Sequence, residues 1–207
     1  MEPHSRKVEE LIEKWVTPGS KCLDVGCGTG INTVKLSHKT EQVTGFDIAN
    51  YTKEHFVKKF EFVLGQDKKL CFDENNFDFV TSWDVVEHVD DDLNFLKEIY
   101  RVLQFGGVGL VSTPNRQRLS NRLLKLAGKE IKYPYYLGTE DDGVGEICHL
   151  REYTMNELIE LARKANFEVL ANHGVYLGFH GGIKTGIFNV PRFLQPLTQH
   201  LFIVLRK

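Results

Sequence analysis

The sequence predicts a doubly wound, mostly parallel α/β sheet with helices on both faces, and three observations predict it. Apolar runs of strand length alternate with stretches whose apolar residues recur at helical spacing, the pattern of parallel strands joined by crossover helices. The run Leu23-Asp24-Val25-Gly26-Cys27-Gly28-Thr29-Gly30 ends one apolar stretch and opens the next helix, with glycines at a spacing of two. At 207 residues the chain can bury one sizeable core, so a single domain over residues 1–207 is expected.

Each element has its own warrant. Residues 5–15 place Val8, Leu11, Ile12 and Trp15 at helical spacing, with charges on the opposite face. Pro18-Gly19 end that helix, and residues 21–25 read as a first strand buried on both sides. Residues 31–38 form the first crossover helix, whose N-terminal amides face the glycine loop. A second strand over 42–46 ends at Asp47, and the 17 residues from Gly30 to Asp47 suit a helix and a return strand. Residues 60–64 and 77–82 supply the third and fourth strands. Asp90, Asp91 and Asp92 cap a helix with Leu93, Leu96, Tyr100 and Leu103 on one face, which Gly106-Gly107 stop. A fifth strand covers 108–112. Thr154-Met155-Asn156-Glu157 match a capping box for a helix bearing Leu158, Leu161, Ala162 and Ala165, and residues 167–171 and 201–205 give two late strands.

Composition bounds the partners. With 26 Lys+Arg against 28 Asp+Glu, the net charge of −2 gives no global pull towards nucleic acid. The opening residues are charged from the second position and lack the apolar core of a secretion signal. No apolar run reaches the length of a membrane span. Cysteines at 22, 27, 71 and 148 form no Cys-x-x-Cys pair, so reduced thiols in a cytoplasmic protein are expected. Within residues 116–132, Arg116, Arg118, Arg122, Lys125, Lys129 and Lys132 face only Glu130. On a helix Arg118, Arg122, Lys125 and Lys129 fall within roughly 60° of one another, while Leu119, Leu123, Leu124, Leu126 and Ala127 take much of the rest. Such a helix suits a lid with a solvated basic face or a peripheral contact with an anionic membrane.

The glycine spacing also separates two kinds of nucleotide site. A dinucleotide fingerprint wants its third glycine three residues after the second, at a position where this chain has Ile31. With Asp24 two residues before the first glycine, the stretch instead resembles motif I of the class I S-adenosylmethionine-dependent methyltransferases, Asp-x-Gly-x-Gly-x-Gly. The resemblance continues over nearly the whole chain. Asp47 matches the family's ribose-binding acid, Gly65-Gln66-Asp67 its adenine-contacting turn, and FDFVTSWDVVEHV over 77–89 its fourth-strand motif. Leu103-Gln104-Phe105-Gly106-Gly107 resembles the usual Leu-x-Pro-Gly-Gly with Phe105 in place of proline, and His149-Leu150-Arg151-Glu152-Tyr153-Thr154 is similar to the family's last third. Asp84-x-x-Glu87-His88 and Ser112-Thr113-Pro114-Asn115 look most like the ubiquinone-biosynthesis O-methyltransferase group.

The resemblance implies a Rossmann-like, seven-stranded sheet with its last strand antiparallel. It also implies a lid-like insertion at about 114–150, which includes Tyr133, Tyr135 and Tyr136 as candidate pocket walls. The implied cofactor is S-adenosylmethionine. Its expected contacts are Asp24, which in the family organises the loop and reaches the methionine amino group, together with Gly26, Cys27, Gly28, Gly30, Asp47, Ile48, Asp67, Lys68, Ser82 and Trp83. Arg6 stands 20 residues before Gly26, where the ubiquinone-type enzymes keep an Arg for the cofactor carboxylate; a solvated helix face is the alternative.

The family chemistry is displacement at a sulfonium methyl, which asks the protein to desolvate and align rather than to react. An oxygen acceptor must also lose a proton, and His88 and His149 are the candidate bases. If a helical turn begins at Asp84, residues 84, 87 and 88 share one face. The ubiquinone-type enzymes carry Glu-x-x-Glu-His there and are associated with Mg²⁺, so Asp84, Glu87 and His88 form a candidate ligand set, with a shorter carboxylate first; a metal-free turn is the alternative. DNA is disfavoured as acceptor. Ser82-Trp83-Asp84-Val85 stands where amino-methylating DNA enzymes carry Asp/Asn-Pro-Pro-aromatic, and the chain has no Pro-Cys dipeptide. The function expected is methyl transfer to an oxygen of a small or lipid-like acceptor. A catalytically idle cofactor-binding module is the alternative, and a nicotinamide dehydrogenase is disfavoured by the glycine spacing.

Overall fold

The computed structural model of the protein describes residues 2–65, 69–129, 131–139, 146–178 and 190–207. Helix α1 (Pro3–Trp15) opens on a proline, whose missing N–H is no loss in a first turn, and buries Val8, Leu11 and Ile12. Strand β1 (Cys22–Val25) is buried at all four positions and leads through the glycine loop into α2 (Ile31–Ser37). Strands β2 (Val43–Asp47), β3 (Glu61–Leu64) and β4 (Phe77–Trp83) follow. Helix α3 (Asp92–Val102) is capped by Asp91, whose side chain accepts from the Asn94 amide at 2.9 Å. Beyond β5 (Leu103–Pro114) come α4 (Leu119–Leu126) and the antiparallel pair β6 (Tyr135–Thr139) and β7 (Glu146–His149). Helix α5 (Met155–Lys164) starts on the Thr154–Glu157 capping box, and β8 (Glu168–Val175) and β9 (His200–Arg206) complete the main sheet.

That sheet has seven strands in the order β3-β2-β1-β4-β5-β9-β8. The first five run parallel, and β9 is antiparallel to both of its neighbours. Two apolar cores lie on its opposite faces. One packs Leu96, Ile99 and Val102 of α3 and Leu158 and Ala162 of α5 against Leu23, Val25 and Val80. The other packs Val8, Leu11 and Ile12 of α1 and Val34 and Leu36 of α2 against Cys22, Val43 and Phe79. Period-two alternation lets one strand serve both cores: in β9, Leu201, Ile203 and Leu205 face the first and Phe202 and Val204 the second.

The structure departs from the sequence reading at two places. Helix α3 ends at Val102, and Leu103, expected on its apolar face, is already extended. Gly106-Gly107 therefore do not stop a helix but lie inside β5. The β4–β5 register jumps there from Phe77↔Leu103 to Phe79↔Val108, and residues 104–107 bulge out with Gly106 at φ +78°. Second, the basic amphipathic stretch forms a helix only over Leu119–Leu126. Asp67 and Lys68 lie outside the described residues, as do the side chains of Tyr135 and Tyr136. No helix among the described residues is long and apolar enough to cross a membrane.

Candidate functional site

The five parallel strands deliver their carboxyl ends to one edge of the sheet, and the strand order reverses between β1 and β4. A crevice opens at such a switch point. The glycine loop lines it with a backbone only glycine follows readily, at φ +75° for Gly26, +49° for Gly28 and +82° for Gly30. At Gly26 a Cβ would collide with the Val85 side chain, whereas at Gly28 nothing lies within 4 Å of where a Cβ would stand. The first glycine is thus needed for packing, and the second leaves the loop open to a ligand.

Asp47, at the tip of β2, ties this loop down. Its Oδ2 accepts from the Gly28 amide at 2.8 Å and its Oδ1 from the Ala49 amide at 3.3 Å. Asp24 is placed differently from expectation. It has no exposed surface and accepts from the Thr33 hydroxyl at 2.6 Å and the Thr81 hydroxyl at 2.7 Å, so it joins β1, α2 and β4 beneath the loop instead of bonding loop amides. Burial pushes its carboxyl up to about 6, against the two hydroxyl bonds and with help from the negative charge of Asp47. Cys27 is buried, and its thiol is pushed up by burial and by the Asp24 and Asp47 charges, which makes it an inert packing group. Ile48 is 74% exposed beside Asp47. At the end of β4, Ser82 and Trp83 are buried, and neither Ser82 Oγ nor Trp83 Nε1 has a hydrogen-bond partner among the described residues. Arg6 is exposed on α1.

The acceptor end divides the predicted ligand set. Asp84 follows β4 with φ +53°, so no helical turn begins there and residues 84, 87 and 88 do not share a face. Its Oδ1 accepts from the Ser112 hydroxyl at 2.8 Å; its Oδ2 lies 3.2 Å from His4 Nε2 and 3.8 Å from His200 Nδ1. Burial opposes ionisation of Asp84, but the two imidazoles and the Ser112 bond outweigh it and hold the carboxyl below the usual range.

Glu87 and His88 instead meet His149, at the end of β7. Glu87 is fully buried; its Oε2 accepts from Thr113 Oγ1 at 2.9 Å, and its carboxyl is pushed well up by burial and by the charges of Asp84 and Glu152. His88 contacts the Cys148 carbonyl through Nδ1 at 2.8 Å, its ring centroid stands 4.9 Å from that of His149, and burial lowers its pKa. Behind His149, Glu152 collects His149 Nδ1 at 3.1 Å, Arg118 Nη1 at 2.6 Å and the Tyr133 hydroxyl at 2.8 Å. Burial opposes its ionisation, yet these three partners bring the Glu152 carboxyl down to about 2. Glu152 therefore fastens residues on both sides of α4 to the site.

This arrangement does not fit the Mg²⁺ set implied by the ubiquinone-type resemblance. Asp84 is engaged with two imidazoles and a hydroxyl, and the carboxylate that remains has two imidazoles beside it, whereas Mg²⁺ favours octahedral oxygen ligands. Sequence reasoning gave no role to His4, Thr33, Thr81, Ser112, Glu152 or His200. Thr33 and Thr81 carry no motif, and the contact from His4 to Ser112 spans 108 positions, so no local spacing encodes it.

Residues 23–111 match the model of a methyltransferase domain family. The core of the chain is a class I methyltransferase domain. A protein of Mycolicibacterium smegmatis described as a probable S-adenosylmethionine-dependent methyltransferase is 32% identical over 166 residues, 79% of this chain and 56% of that protein. The demethylmenaquinone methyltransferase of Staphylococcus epidermidis is 39% identical over 102 residues, 45% of this chain and 42% of the enzyme. The chain thus spans about half the length of these two relatives. Among solved structures, the 1,6-didemethyltoxoflavin-N1-methyltransferase of Burkholderia thailandensis, with 1,6-didemethyltoxoflavin and S-adenosylhomocysteine bound, shares the fold. It aligns at TM-score 0.65 and 19% identity over 99% of this chain and 78% of that one.

Proposed function

We propose that this methyltransferase domain binds S-adenosylmethionine in the crevice between β1 and β4 and passes the methyl group to an oxygen of a small, lipid-like, quinone-related acceptor. The observation that carries the reading is the open face of Gly28, whose positive φ turns the backbone away from a space bordered by the Asp47 carboxylate. A flat ligand can lie against that backbone while its ribose hydroxyls reach Asp47, with Ile48 exposed beside that carboxylate and Trp83 at the end of β4. The likeness to a probable S-adenosylmethionine-dependent methyltransferase supports the cofactor, and the likeness to a demethylmenaquinone methyltransferase supports the acceptor class.

Methyl transfer itself requires alignment and exclusion of water. What the acceptor hydroxyl needs besides is help in losing its proton, and Glu87, His88 and His149 offer it, held under residues that act as a lid. The exposed leucines of α4, Leu123, Leu124 and Leu126, with Arg122 and Lys125 beside them, suit the surface of an anionic membrane from which such an acceptor is drawn.

Calorimetry tests the cofactor. S-adenosylhomocysteine is expected to bind and NAD is not, and Asp47→Ala is expected to weaken S-adenosylhomocysteine by about 2–4 kcal/mol as two hydrogen bonds to a charged group are lost. Binding of NAD with no response to S-adenosylhomocysteine would overturn the reading.

A further inference from the structure

We infer that Glu152 is a positioning residue of the acceptor end, one that makes the seating of α4 over the site and the presentation of a free His149 nitrogen a single event. The use of that nitrogen in methyl transfer rests on the methyltransferase reading; the coupling itself does not.

One carboxylate is shared between the two. Oε2 of Glu152 accepts from Arg118 Nη1 at 2.6 Å and from the Tyr133 hydroxyl at 2.8 Å, so that oxygen is taken up by residues on either side of α4. Burial and the Glu152 charge push the Tyr133 phenol up, which keeps it a donor. Oε1 faces His149 Nδ1 at 3.1 Å. A carboxylate only accepts, so His149 carries its hydrogen on Nδ1 and keeps its lone pair on Nε2. That nitrogen is the one left for the acceptor end, where the His149 ring stands 4.9 Å from the ring of His88 between centroids.

The backbone under Glu152 is pinned independently of α4. Tyr153 bridges to Asn115 at the end of β5, its carbonyl accepts from the Arg116 amide at 2.9 Å, and the Glu152 carbonyl accepts from Arg116 Nη1 at 3.2 Å. Helix α4 is held otherwise: it buries no residue of its own, so no apolar core fastens it, and the polar contacts at its two ends do. Glu152 is 2% exposed, and a carboxylate so placed has no water to replace two lost donors. When α4 lifts, the charge follows the Arg118 guanidinium, and the planar group takes Oε1 away from His149. Nothing then fixes the hydrogen on Nδ1. With α4 seated, the plane is held and Nε2 is presented. In the methyltransferase reading, the acceptor hydroxyl passes its proton to that Nε2 as the oxygen lone pair bonds the methyl carbon and the carbon–sulfur pair returns to sulfur. The imidazolium that forms faces the Glu152 carboxylate. An acceptor site open to water thus has no oriented base.

Long-range proton–nitrogen NMR of the imidazoles tests this on the full chain, at about pH 8 where an ordinary imidazole is neutral. In the unmodified protein both His88 and His149 are expected to carry the hydrogen on Nδ1, a result that needs no variant. Glu152→Gln leaves one oxygen in place of two. Arg118 only donates and keeps that oxygen, so the amide NH2 turns to His149, whose hydrogen should move to Nε2. His88 should not change, because the Cys148 carbonyl that holds it at 2.8 Å is untouched. Arg118→Met combined with Tyr133→Phe should leave His149 as a mixture of both tautomers and speed amide exchange in α4 at least ~10-fold. A wild-type His149 with its hydrogen on Nε2, an unmoved hydrogen in Glu152→Gln, or a double variant that keeps it on Nδ1 would each overturn the inference. S-adenosylhomocysteine titrated in parallel separates the two readings. The expected tautomers without its binding would sink the methyltransferase reading alone, and its binding with an unmoved His149 hydrogen in both variants would sink the coupling alone.

Discussion

Asp24 sits two positions before the first glycine of the loop, yet its work is done below it, where both oxygens accept hydroxyl hydrogens from Thr33 and Thr81. Two neutral donors do not replace the water a carboxylate loses on complete burial, and the folded protein therefore holds the Asp24 proton up to about 6 against an ordinary 3.8. The folded state binds more protons than the unfolded state between those values, so this residue makes stability fall as pH rises from 3.8 through about 6, by about 3 kcal/mol in all. Glu152 acts in the opposite sense. Its depressed carboxyl contributes stability above the ordinary 4.5 that is lost as pH falls towards about 2. Thermal unfolding of wild type and Asp24→Asn across this range isolates the first effect: the variant should show a flatter midpoint between pH 4 and 6. Parallel curves would mean that Asp24 is solvated or paired in a way its two hydroxyl contacts do not reveal.

Helices and strands were legible in this chain because each has one or two apolar faces at a fixed period, and periodicity survives even where boundaries shift. Spacing along one element does not say where its polar residues point once the chain turns. Asp84, Glu87 and His88 read as one helical face, but the positive φ of Asp84 sends its carboxylate to α1 and β9 while Glu87 and His88 meet β7. His149 was legible as a candidate base, and Glu152 stood in the same motif; that they form a pair behind Glu87 depends on the fold. The amphipathic pattern of α4 was legible too, and its leucines do remain outside, with Leu126 84% exposed. A short helix with that much apolar surface and a basic flank should partition to anionic vesicles. Co-sedimentation with vesicles containing phosphatidylserine is expected at low salt, and Leu126→Glu with Arg122→Glu should abolish it without loss of S-adenosylhomocysteine binding. Wild-type protein that stays in the supernatant at low salt would leave α4 as a lid only.

At the scale of the molecule, the insertion of β9 between β5 and β8 makes one strand common to everything that folds around the sheet. Its seven residues, His200–Arg206, pair with β5 on one side and with β8 on the other, and its five central side chains are all buried. The two cores contain different helices and touch only through the strands, so they have the means to unfold separately. Strand β9 denies them that, because Ile203 belongs to the α3/α5 core while the adjacent Phe202 and Val204 belong to the α1/α2 core. The chain reports on this directly: both of its tryptophans, Trp15 and Trp83, lie in the α1/α2 core. Ile203→Ala removes atoms only from the opposite face and should cost about 2–5 kcal/mol. If the sheet transmits the loss, denaturant unfolding followed by tryptophan fluorescence should shift by the same amount as unfolding followed by far-UV circular dichroism, and the two curves should coincide. A tryptophan transition that stays at the wild-type midpoint while the circular dichroism curve moves would show that the two faces melt independently and that β9 does not couple them.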